Sequence, residues 1–299
     1  MNGQPMVACE ETFGLGEGPY WIAHRGILVW VDILAGEVLE GVLDSGSVRV
    51  TARHQFGCMV GAVAAADDGT LLVATHDSLV EQHPDGSRQQ LAQVIPAGAP
   101  RRLNDGSTDP HGRFVVGSLS LGAEPGHEEL VRLEPTGELT VLDHDLTLSN
   151  GLAWSADGRQ MYSVDTLRRT IFVRDYEPAT GACGARRVFA HVTDGHPDGI
   201  ALDTRGHLWV AVWGGGCVAR FAADGTELQR IAVPAPHVSC VAFAGDDLRT
   251  LVITTATAEL SDAQLAAHPS SGRLYTMSTD VPGVPVPAWC GAGRVQQPT

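Results

Sequence analysis

The chain has 299 residues, 43% of them hydrophobic and 18% charged, and its 20 Lys and Arg stand against 35 Asp and Glu for a net charge of −15. That length and apolar content can bury a large core, while the acidic balance argues against nucleic-acid or anionic-membrane partners, both of which need a basic footprint. No run approaches the roughly 18 consecutive apolar residues of a spanning helix.

The first stretch, 1–14, has neither the basic segment nor the apolar segment of a secretory leader. Cys9, Cys58, Cys183, Cys217, Cys240 and Cys290 lie far apart with no Cys-x-x-Cys pair, so reduced thiols in a cytoplasmic protein are expected rather than a disulfide scaffold or a zinc site. The 35 glycines and 17 prolines point to many short strands joined by turns.

In chain order, the first predicted unit, 16–32, joins two apolar runs around Gly26. The second, 59–75, turns at Gly69; the third, 102–118, at Gly112; the fourth, 149–165, at Gly158; the fifth, 197–213, at Gly206. A weaker sixth unit, 239–255, should turn near Asp247. The five turn glycines are 43, 43, 46 and 48 residues apart. Runs such as Leu208, Trp209, Val210, Ala211 and Val212 are β-branched and aromatic and too short for helices. A period of about 40–50 residues holding several strands marks a β-propeller. The predicted fold is therefore all-β: a six-bladed β-propeller with four-stranded antiparallel blades around a central channel. It spans 1–299 as a single domain, with a Pro/Gly-rich tail, 281–299, that caps or frays. Asp67, Asp157 and Asp203 are expected as hairpin-turn residues.

In a propeller, the residue that opens each innermost strand points into the channel mouth. That register holds Glu17, Val60, Asn104 and Asp105, Asn150, Asp198 and Ser239. Carboxylates and carboxamides crowded around one axis call for a divalent cation among them, since hard cations take oxygen ligands. Three protein ligands with the other positions open to water is the arrangement of a catalytic metal. Taken singly, Asn150 and Asp198 also read as turn residues before Gly, and Glu17 as a solvated loop acid; the shared register favours a joint site.

Four segments, in this order and spacing, resemble the regucalcin / gluconolactonase family of six-bladed propellers. They are Leu-Gly-Glu-Gly-Pro-Tyr-Trp (15–21), Arg-Leu-Asn-Asp-Gly-Ser-Thr-Asp-Pro-His-Gly-Arg (102–113), Ser-Asn-Gly-Leu-Ala-Trp-Ser-Ala-Asp-Gly (149–158) and Pro-Asp-Gly-Ile-Ala-Leu-Asp (197–203). The resemblance runs from about Glu10 to Pro285. It implies metal-dependent hydrolysis of a sugar lactone, such as glucono- or xylonolactone. It matches Glu17, Asn150 and Asp198 to the family's metal ligands and Asp198 to its general base. Arg102 and Asn104 match its substrate-facing positions. Some relatives carry a substrate-binding Glu where this chain has Gly122; the nearest acid is Glu124. His196, beside Pro197 and Asp198, is a further candidate substrate contact, and Trp213 a candidate sugar-stacking ring or a core-covering aromatic.

The all-oxygen set suits Ca²⁺, Mg²⁺ or Mn²⁺ and leaves Zn²⁺ and Fe²⁺ open. The expected partner is a small sugar lactone, with the chain a monomer or small homo-oligomer. Two other readings stay open: phosphotriester or aryl-ester hydrolysis at the same metal, and a non-catalytic calcium-binding propeller. A serine hydrolase is disfavoured, because no Gly-x-Ser-x-Gly elbow occurs. Cys58 and Cys240, near the channel register, are expected to be inert small hydrophobes.

Overall fold

Each repeat unit folds as an antiparallel hairpin because its alternating apolar runs are broken by a residue that tolerates left-handed backbone. Gly26, Gly69, Gly112, Gly158 and Gly206 adopt φ of +63°, +87°, +79°, +71° and +77°, conformations that cost L-residues and not glycine. In the sixth unit the left-handed positions are Gly245 and Leu248, at +85° and +52°, which is why that repeat is faint in sequence. Aspartates cap the turns: Asp157 accepts from Arg159 N and Asp203 from Arg205 N. In the second hairpin Asp68, rather than Asp67, accepts the turn N–H, from Thr70. Asp67 is solvent-exposed, with His24 at 3.9 Å.

The structure, a computed structural model, describes residues 3–122 and 126–292. It contains six sheets, each an antiparallel meander built outward from an inner strand. The inner strands are Gly16–Ile22, Val60–Ala65, Arg101–Thr108, Ser149–Trp154, His196–Leu202 and Val238–Ala244. Each packs on the next, and the sixth packs on the first, so the sheets close into a ring. The fold is the expected six-bladed β-propeller. The fourth blade carries an extra short strand, Ala182–Cys183, and the one described helix is Asp262–Ala267, opened by a capping box between Ser261 and Gln264.

Closure comes from the chain's beginning. The sixth blade takes its outermost strand, Met6–Cys9, from the N-terminus, which pairs with Leu274–Ser278. The core lies between blades: Trp30, Trp209, Tyr275, Phe114 and Phe221 are fully buried where facing sheets interdigitate.

The tail segment 281–292 caps rather than frays. It crosses the end of the ring that carries the repeat hairpins. Gly283 N donates to Leu248 O and Val284 N to Leu202 O, then Trp289 N reaches Ala65 O and Cys290 N reaches Gly112 O. Its Pro287 carbonyl accepts from Tyr20 Oη and Thr108 Oγ1.

Candidate functional site

All six inner strands slip register at the same place. The ladder to the second strand shifts between Glu17 and Tyr20, Val60 and Ala62, Leu103 and Gly106, Asn150 and Leu152, Pro197 and Ile200, and Val238 and Cys240. A β-bulge adds a residue and re-aims the side chains beside it. The bulges coincide with the register read from sequence, and in five blades a glycine follows. At Gly61, Gly151 and Gly199 glycine is required because the neighbouring inner strand approaches too closely for a side chain, whereas Gly18 takes a left-handed φ of +50° and Gly106 sits against Phe114 of its own blade. A Cβ on Gly151 would lie 2.5 Å from Asp198 O, and one on Gly61 2.5 Å from Asn104 O.

Glu17, Asn150 and Asp198 are all buried, at 6%, 5% and 5% exposure. Burial, reinforced by the Asp105 carboxylate, lifts the Glu17 carboxyl to about 8. Asp198 is raised well above its ordinary range by burial, then by Glu17 and Asp105; Arg102 and Asn150 oppose the rise. Burial draws the Arg102 guanidinium down to about 10, against the pull of Glu17 and Asp198. Asp105 is thus within electrostatic reach of Glu17 and Asp198, and Arg102 of Glu17 and Asp198, in a low-dielectric channel with acids in excess.

The polar framework is ordered. Arg102 Nη1 donates to Asn104 Oδ1 at 2.7 Å and to Leu103 O at 3.0 Å. Asn104 Nδ2 donates across the blade boundary to Ser149 O at 2.9 Å. Asn150 Nδ2 donates to Thr166 Oγ1 at 3.2 Å, and that hydroxyl donates to Pro197 O at 2.9 Å. This leaves Asn150 Oδ1 and Asp198 Oδ1 buried without a hydrogen-bond partner. Buried oxygens are seldom left so, because each costs about 1–3 kcal/mol. A hard cation satisfies both at once, and this donor chemistry fits one. Among the described residues no three His, Cys, Asp or Glu side chains gather at metal-binding spacing; the candidate set is two carboxylates and a carboxamide.

The profile of the SMP-30/Gluconolactonase/LRE-like region matches residues 15–257. The chain belongs to this family. It is 33% identical to a pentonolactonase of Haloferax volcanii over 91% of this chain and 93% of that one. It is 34% identical to an L-arabinolactonase of Azospirillum brasilense over 98% and 97%. The calcium-binding protein regucalcin of Agrobacterium tumefaciens superposes with a TM-score of 0.90 at 31% identity, covering 96% of this chain and 97% of that one.

Within this SMP-30/gluconolactonase-type channel, the structure brings Glu17, Arg102, Asn104, Asn150 and Asp198 together. Glu124 lies outside the described residues. His196 stands at the mouth, with Nδ1 3.3 Å from Thr166 O. Trp213 lies flat on His237, ring centroids 4.0 Å apart at 14°, so one of its faces is taken by a protein ring. Cys58 is exposed at the surface, whereas Cys240 is buried in the channel, where burial and then Glu17, Asp105 and Asp198 push its thiol well up. Two residues of the site are faint in the sequence. Asp105, not Asn104, precedes its glycine as Glu17 precedes Gly18, and that signal marks it as the register equivalent. Thr166, which orients Asn150, sits in an inter-strand loop with no motif to announce it.

Proposed function

We propose that this protein hydrolyses a sugar lactone, an aldonolactone, to the aldonic acid with the help of one divalent cation. The observation that carries the reading is the pair of buried, unpartnered oxygens, Asn150 Oδ1 and Asp198 Oδ1, in the register of Glu17. Lactonases among the relatives support the substrate class, and the calcium-binding regucalcin supports a metal.

Glu17, Asn150 and Asp198 would hold the cation. Such an ion polarises an ester carbonyl and lowers the pKa of bound water. Asp198 then takes one proton as the water oxygen bonds to the carbonyl carbon. It returns that proton to the ring oxygen as the ring C–O bond breaks, giving the open hydroxy acid. General acid–base catalysis of this kind contributes about 10²–10⁴-fold. The remaining Arg102 N–H groups orient the substrate's oxygens, and Asn104, held by Arg102 and Ser149, keeps the guanidinium in place.

The test is hydrolysis of glucono-, xylono- and arabinolactone after chelation, with Ca²⁺, Mg²⁺, Mn²⁺, Zn²⁺ or Fe²⁺ restored in turn. Activity lost to chelator and regained with one ion supports the proposal. Lactone hydrolysis indifferent to chelation overturns the metal, and turnover of aryl esters or phosphotriesters alone overturns the lactone.

A further inference from the structure

At the other end of the channel from Arg102 and Asn104, beneath the tail segment 281–292, lies a cavity of about 500 Å³. This size is ordinary for a small-molecule site. Its walls are the lower halves of the inner strands, including Leu152, Ile200 and Phe243, and the strap residues Val284, Pro285 and Pro287. Small residues, Ala64, Ala153, Ala201 and Ala242, recur where the inner strands face it; that repetition hollows the space. It opens to solvent beside the hairpin turn of Ala156 and Asp157, both exposed.

Charge tells which ligand fits. No Lys or Arg lines the cavity; its chargeable side chains are the carboxylates of Asp105 and Asp157 and the His111 imidazole. Asp105 is 8% exposed. Its Oδ1 accepts from Gly106 N at 2.7 Å, and no side-chain donor reaches its other oxygen among the described residues. Burial lifts its carboxyl to about 6. A charge buried without a counter-ion is costly, so the cavity favours an occupant that is apolar in body and cationic at one end.

We propose that this cavity is a second ligand site, adjoining the lactone site at Asp105 but opening the other way, that binds a small organic ammonium ion with its cationic head on Asp105 and its hydrocarbon part against Leu152, Ile200, Phe243 and the strap. The site requires nothing of the lactonase reading. Its ligand enters beneath the strap, away from Arg102 and Asn104.

The test is calorimetric titration of the full chain, in calcium-containing buffer, with benzylamine, benzyl alcohol and benzoate. These share a ring and differ in head-group charge. Benzylamine should bind at least tenfold more tightly than benzyl alcohol, and benzoate should not bind. Asp105→Asn should bring the amine down to the alcohol's affinity. Ala242→Leu, which fills the cavity and keeps Asp105, should abolish both. Circular dichroism checks that each variant is folded, and the Ala242→Leu arm stands if Asp105→Asn does not fold. Equal affinity for amine and alcohol, or amine binding unchanged in Ala242→Leu, overturns the proposal. Because the readout is heat of binding, a protein without lactonase activity leaves the result intact.

Discussion

Asp198 is asked to do two things, to hold charge against a cation and to carry a proton, and its burial serves both. Asp198→Ala removes a ligand and the base together. Its kcat/KM for lactone hydrolysis should fall by about 10³-fold or more, in a variant that stays folded by circular dichroism. Near-normal turnover would remove Asp198 from the mechanism. Glu17 supplies a second prediction. Its carboxyl, ordinarily near 4.5, is raised to about 8 by burial and by Asp105. A carboxyl raised in the folded state contributes stability that is complete below its unfolded pKa and lost as pH climbs through its folded one. The chelated protein should therefore lose stability between about pH 4.5 and pH 8 through this group. A cation needs the ionised form, so added Ca²⁺ should raise Tm more at pH 8 than at pH 6. Equal shifts at both values, by thermal melts with and without chelator, would count against Glu17 as a ligand. At this scale the sequence was legible for side chains that sit in motifs. It was less so for Asp105, where two polar neighbours compete inside one bulge, between Leu103 and Gly106, and only the glycine that follows sets Asp105 beside Glu17.

The repeated element is a bulged inner strand, and at Gly61, Gly151 and Gly199 the glycine after the bulge lets the next inner strand approach. Gly151 has no left-handed backbone to protect; its constraint is space, since an added Cβ would stand 2.5 Å from Asp198 O. Gly151→Ala should therefore cost about 1–3 kcal/mol of stability by urea unfolding. It should also weaken calcium binding, because the strand that must retreat carries Asp198. A variant as stable and as tight-binding as the parent would show that the close approach is incidental. The hairpin glycines were readable from their spacing because left-handed φ selects one residue type. The sixth hairpin was faint because Leu248 takes that conformation instead. The bulges left a weaker trace, a glycine after the register residue in five blades, since the extra residue itself is defined only by the strand opposite it.

At the scale of the whole molecule, the two ends of the chain finish what the repeats begin. Met6–Cys9 completes the sixth blade, and the strap 281–292 covers the hairpin end of the channel. Trp289 is 2% exposed and packs with Leu103, Phe114 and Leu133 of the third blade and Leu72 of the second. Trp289→Ala should destabilise the protein by about 3–5 kcal/mol in urea unfolding, while kcat on a lactone stays within about twofold, because the strap and the proposed catalytic mouth lie at opposite ends. A large loss of kcat without loss of stability would mean that the strap reaches the reaction. By itself the amino-acid order determined the repeat, the all-β architecture and the identity of most polar side chains at the mouth, because period, turn glycines and short motifs are local properties. Tertiary structure alone decided that the first strand closes the last blade, that Thr166 turns the Asn150 amide, that Trp213 spends a face on His237, and that a cavity opens beneath Asp105. Each of these is a contact between residues distant in the chain, and only the closed ring sets the distance between them.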